Sequence, residues 1–169
     1  THVSTLKYAS HRLQSDRDVV LCAVLRNSYA LMHASIQFEN DRELAFIACN
    51  KNGIMLKEIP QFNDDKEIVH AAVSNCGLAL QFASYTLKNT RDIVLAAVEQ
   101  DGEALEFAKS FQNDKEIVQT AVETDGVALS HASYELQDDY DIVITAYEND
   151  LSSINYASVK LRLKIRGYQ

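Results

Sequence analysis

The most regular polar feature of this chain is a recurring triplet: an Asp, a basic residue and a second acid. The Asp stands at 16, 41, 65, 114 and 139, and Thr90 takes its place once. The basic residue is Arg17, Arg42, Lys66, Arg91 or Lys115, with Tyr140 in the last copy. The acid that follows is Asp18, Glu43, Glu67, Asp92, Glu116 or Asp141. Such carboxylates could hold a divalent cation, or the charged strip could dock a partner. A calcium loop, however, needs several oxygen ligands within one loop. Asp138-Asp139-Tyr140-Asp141 comes nearest, and it lacks the Gly and the closing Glu. The same triplet suits a helix start, where an Asp or Thr side chain accepts from unpaired backbone N–H groups and an acid complements the helix dipole. Capping and ion pairs between units are therefore expected, and no metal.

Other reactive side chains point the same way. Ser10, Ser35, Ser84, Ser133 and Ser158 recur at one position, which fits a packing residue bonded back to its own helix better than a nucleophile. His33 and His131 lie about four units apart and cannot share a metal in an extended array. Cys22, Cys49 and Cys76 show no Cys-x-x-Cys spacing. Their odd number suggests reduced thiols and a cytoplasmic setting, with Cys22 and Cys49 as small buried side chains. No Gly-rich phosphate loop, His-Glu-x-x-His or Gly-x-Ser-x-Gly is present. We expect no catalytic residue, no cofactor and no enzyme activity.

The triplets open repeated units, at steps of 25, 24, 25, 24 and 25 residues. A fixed period in the twenties is the mark of a solenoid or array. Apolar residues follow each cap at +3, +4, +7 and +8, for example Ile68, Val69, Ala72 and Val73, and this is one face of a helix. This first helix ends at Gly53, Gly77, Gly102 or Gly126, with Ser28 and Leu151 in the odd copies. A left-handed Gly there is the expected helix stop. A second short helix is anchored by Leu6, Leu31, Leu56, Leu80, Leu105, Leu129 and Ile154. Small residues three on and large apolar residues six or seven on would complete its buried seam. Short copies lose a residue near Pro60-Gln61-Phe62 and Lys109-Ser110-Phe111, so the full period is a pair of about 49 residues. Helices this short are marginal alone and must be stabilised by stacking. The predicted fold is all-α: an α-α solenoid of helical hairpins, one continuous domain over residues 1–169, expected to be a fragment of a larger protein.

Two surface rows are candidate binding sites. Two residues after each second-helix anchor come Tyr8, His33, Glu58, Phe82, Phe107, His131 and Tyr156. The aromatic and imidazole members could line a partner groove, because exposed aromatic stripes mark interaction surfaces. Glu99, Asp101, Glu123, Asp125, Glu148 and Asp150 would align as an acidic ridge able to dock a basic segment. Lys160, Arg162, Lys164 and Arg166 form a basic end that could meet such a ridge. Residues 1–64 are electrically balanced, residues 65–150 carry a net −12, and residues 151–169 carry +4. An acidic middle disfavours nucleic acid and anionic membrane surfaces. No apolar run is long enough to cross a bilayer.

The pattern Leu-x-x-Ala-Ser-x-x-Leu-x-x-Asp-x-Glu-Ile-Val-x-x-Ala-Val, closing on Asp-Gly-x-Ala-Leu, resembles the tandem repeat family known as domain of unknown function 4116. The match is clearest over Leu80–Leu136 and traceable across nearly the whole chain. Ile59 and Pro60 depart from it, where the pattern has Ala and Ser. The resemblance implies modules within large proteins of amoeba-associated bacteria and some protists, including effectors translocated into a host cell. It implies no catalytic residues. The leading expectation is a protein-binding module, with a basic segment as one kind of partner. The alternative is an accessory domain of an enzyme whose chemistry lies elsewhere. Reading of single-stranded RNA by repeats is a third class, and the acidic charge opposes it.

Overall fold

The recurrent Asp starts a helix by direct bonding. In the computed structural model, which describes residues 5–165 and 167, the Asp65 carboxylate accepts from the N–H groups of Glu67 and Ile68, each at 3.2 Å. Asp16, Asp114 and Asp139 repeat that pattern. Asp41 accepts from Leu44 N–H at 3.0 Å. Thr90 makes no side-chain cap; its hydroxyl donates to the Thr86 carbonyl instead.

The described residues form nine α-helices and a set of 3₁₀ turns, with no strand. The α-helices are α1 (His11–Gln14), α2 (Arg17–Arg26), α3 (Arg42–Lys51), α4 (Lys66–Asn75), α5 (Tyr85–Lys88), α6 (Arg91–Gln100), α7 (Lys115–Thr124), α8 (Tyr140–Asn149) and α9 (Val159–Ile165). Those that open the units, α2, α3, α4, α6, α7 and α8, are each ten residues long and stack in order. Their inward faces are dry: Ile93, Val94, Ala97 and Val98 of α6 are wholly buried, as are the matching residues of α7. Each such Val or Ile contributes about 1.5–3 kcal/mol by leaving water.

The second element of each unit is a 3₁₀ turn, where an α-helix was predicted. These turns are Ser28–His33, Gly53–Lys57, Gly77–Phe82, Gly102–Phe107, Gly126–His131 and Leu151–Tyr156. A 3₁₀ helix repeats every three residues. Residues at 0 and +3 of the predicted seam therefore still face inward, and Leu80 and Ala83 are both buried. The large residue further on, Leu87 or Leu136, lies on a separate short third element. One apolar core joins all units from Leu6 to Leu161.

The glycines do not stop helices by a left-handed conformation. Gly167 is the one described residue with positive φ. The turn is made by the residue before each glycine, Asn52, Cys76, Asp101 or Asp125, whose φ lies between −145° and −156°. Glycine is needed for space. A Cβ on Gly53, Gly77, Gly102 or Gly126 would overlap the carbonyl oxygen of Ala72, Ala97, Ala121 or Ala146 in the following unit. Three of these glycines also donate a hydrogen bond across the junction. Gly53 N–H donates to Asn75 Oδ1 at 2.8 Å, Gly126 N–H to Asn149 Oδ1 at 2.9 Å, and Gly77 N–H to Gln100 Oε1. Leu151 occupies the glycine position in the last copy, where its side chain is exposed.

Candidate functional site

The charged triplets resolve into a ladder between units. Arg42 of α3 reaches Asp65 and Glu67 of the next unit, both at 2.6 Å. Arg17 does the same with Asp41 and Glu43, and Arg91 with Asp114 and Glu116. Lys115 meets Asp139 at 2.6 Å. Lys66 meets Asp92 at 2.7 Å, because Thr90 offers it no cap carboxylate. The Arg42 guanidinium holds the Asp65 carboxyl below the usual range, and Arg91 does so for Asp114 and Lys115 for Asp139. The ladder is thus occupied in binding unit to unit. Among the described residues, no group of three or more His, Cys, Asp or Glu is placed to hold a metal.

The recurrent serines also join units. Ser84 N–H donates to the Asn63 carbonyl at 2.7 Å, Ser133 N–H to Gln112 at 2.6 Å and Ser158 N–H to Gln137 at 2.9 Å. Their hydroxyls donate to Asp64, Asn113 and Asp138 in the preceding unit, and accept from Leu87, Leu136 and Leu161 N–H. They cap the short third element rather than bonding back along a helix.

The cysteines divide. Cys49 is buried, and burial pushes its thiol up to about 12. Cys76 is half-buried. Cys22 was expected inside, and it is exposed. It sits on the end of the stack, where no unit among the described residues covers it.

The predicted aromatic row proves to be mixed. Phe82 and Phe107 are half-buried and packed against the core. His33, Glu58 and His131 are half-buried as well. Only the terminal members are open, Tyr8 at 77% and Tyr156 at 42% exposure. In the acidic ridge, Asp101, Asp125 and Asp150 are capping side chains that accept from Glu103, Val127 and Ser152 N–H. Glu99, Glu123 and Glu148 are exposed. The basic end does not reach the ridge among the described residues: Lys164 lies over the Tyr140 ring at 4.5 Å. Arg166 lies outside the described residues.

A different row is the open one. Ile36 (84%), Tyr85 (84%) and Tyr134 (87%) each follow the recurrent Ser of a long unit and are open to solvent. Val159 continues the row. Two concavities lie along this edge, each where a long unit meets the short unit after it. One, of about 380 Å³, is lined by Met32, Ile36, Glu58, Pro60 and Phe62 among others. The other, of about 370 Å³, is lined by Tyr85, Lys88, Glu106, Phe107 and Lys109 among others. The third element of each short unit, Pro60–Phe62 or Lys109–Phe111, is a three-residue 3₁₀ turn, and it lines the concavity with the long unit before it. The signal in the sequence was the large residue placed after Ser in long units, with no core position to fill.

Fold and surface together define an α-solenoid of paired helical units with a grooved loop edge. The chain belongs to the family described as "Domain of unknown function (DUF4116)", which matches residues 2–39, 23–62, 65–112, 105–137 and 114–162. No curated protein and no solved structure matches it.

Proposed function

We propose that this chain is a non-catalytic helical repeat module that binds a protein partner along the edge marked by Ile36, Tyr85 and Tyr134. The observation that carries the reading is the near-complete exposure of these large apolar side chains. The core is closed without them, and folding does not require them there. Interfaces are enriched in Tyr and in anchors set beside pockets. The concavities beside Ile36 and Tyr85 supply such pockets.

The partner that fits is a segment with apolar anchors separated by basic residues, since residues 65–150 carry net −12. Service within a bacterial effector is the finer reading suggested by the resemblance in sequence. Affinity capture from a host-cell extract tests the proposal, with wild type compared to the double variant Tyr85→Ser, Tyr134→Ser. A partner retained by wild type and lost by the folded double variant is expected. Equal capture by both contradicts the assignment of this edge.

A further inference from the structure

The two ends of the stack are chemically unlike. At the first end, Asp16 and Asp18 occupy the places at which Asp41 and Glu43 receive Arg17. Among the described residues no cation pairs with either of them. Beside them lies a concavity of about 600 Å³ lined by Leu6, Tyr8, Leu13, Val19, Cys22 and Ala23 among others. Every later counterpart of Val19 (Leu44, Ile68, Ile93, Ile117 and Ile142) is wholly buried, whereas Val19 is half-buried. Ala23 is half-buried too, while Ala48, Ala72, Ala97, Ala121 and Ala146 are wholly buried. In those later units, the unit before packs on this face with its unit-opening helix and its 3₁₀ turn; at the first end the turn Thr5–Tyr8 is present and the helix is the element that would complete the cover.

We propose that this end face binds one further ten-residue helix of the same repeat type, which carries Arg or Lys as its first residue. Charge complementarity selects that occupant: its base would pair with Asp16 and Asp18, as Arg42 pairs with Asp65 and Glu67. A second copy of this chain does not qualify. Its far end places Tyr140 where the base should be, and α9 closes over that ring through Lys164.

The test adds the helix in register. A copy of residues 114–123 placed directly before Thr1 makes Thr1 the equivalent of Thr124. Two readouts are followed in the full extended chain: the labelling rate of Cys22 by a thiol reagent and the thermal midpoint. Labelling slowed by about tenfold or more, with a raised midpoint, is the expected result. Charge reversal in the added copy, at the residue matching Lys115, should lower the midpoint again, more so at low salt. Unchanged Cys22 labelling and midpoint overturn the proposal. So does concentration-dependent self-association of the parent chain that itself protects Cys22, because the face then belongs to a second copy.

Discussion

Gly77 lies against the carbonyl of Ala97, so closely that any Cβ would overlap that oxygen. Backbone touches backbone between units, and the contact recurs at Gly53, Gly102 and Gly126. Gly77 has no positive φ, so alanine would bring no conformational strain and would reduce the entropy of the unfolded chain. The two effects oppose one another, and the overlap wins because a backbone carbonyl cannot swing aside. Gly77→Ala is expected to destabilise by about 1–3 kcal/mol or more, the range for overpacking. Denaturant unfolding checks this. A neutral or stabilising result would return the glycine to a purely conformational role.

Thr90 is the one unit opener without a side-chain cap. Thr90→Asp should gain bonds to the N–H groups of Asp92 and Ile93. It should also give Lys66 the second carboxylate that Lys115 has in Asp139 and Asp141. A stabilisation of about 0.5–1 kcal/mol is expected from the cap. Its measure is a rise in the denaturant midpoint at unchanged slope.

Ser153 stands where other units have Ala30, Ala79, Ala104 or Ala128. It is wholly buried, and its hydroxyl has no hydrogen-bond partner among the described residues. An unsatisfied buried polar group costs about 1–3 kcal/mol. Ser153→Ala should therefore stabilise the fold by about 1 kcal/mol, read as a higher thermal midpoint.

Acid should unfold the stack through its ladder. The native carboxyls of Asp65, Asp92, Asp114 and Asp139 are held below their ordinary value of 3.8 by Arg42, Lys66, Arg91 and Lys115. The unfolded chain then takes up protons first as pH falls. The stabilisation is complete above about pH 5 and is lost as pH falls below the ordinary carboxyl value and through the depressed native values. Midpoints measured from pH 7 to pH 2 should drop in that lower window. Adding salt at pH 7 should reproduce part of the loss, because exposed pairs are screened.

The unit-opening helices were legible in the sequence because cap, acid and the 3.6-residue apolar face all agree, as at Asp114-Lys115-Glu116-Ile117-Val118. The ladder was legible too, since stacking a 25-residue period puts Arg42 beside Asp65. The second element was placed correctly by its Leu and Ala, but a spacing of three fits a 3₁₀ turn as well as an α-helix. The role of Gly77 was not legible, because it depends on a carbonyl twenty residues away. Cys22 was misjudged because it stands six residues after its cap, outside the inward face at +3, +4, +7 and +8, and its counterparts Ile47, Ala96, Thr120 and Thr145 are only half-buried inside the stack. The Ile36, Tyr85 and Tyr134 edge was hidden by its varied identity and by the short units that interrupt it.

The central claim is that the four units that carry Gly53, Gly77, Gly102 and Gly126 are each held by the next through direct contact at that glycine. Amide hydrogen exchange at single-residue resolution measures it. The N–H groups of Gly53, Gly77 and Gly126, which donate to Asn75, Gln100 and Asn149 of the following unit, should be strongly protected. Asn75→Ala should release Gly53 while leaving Gly126 protected. Free exchange at these glycines in the folded wild-type chain would contradict the stacked arrangement.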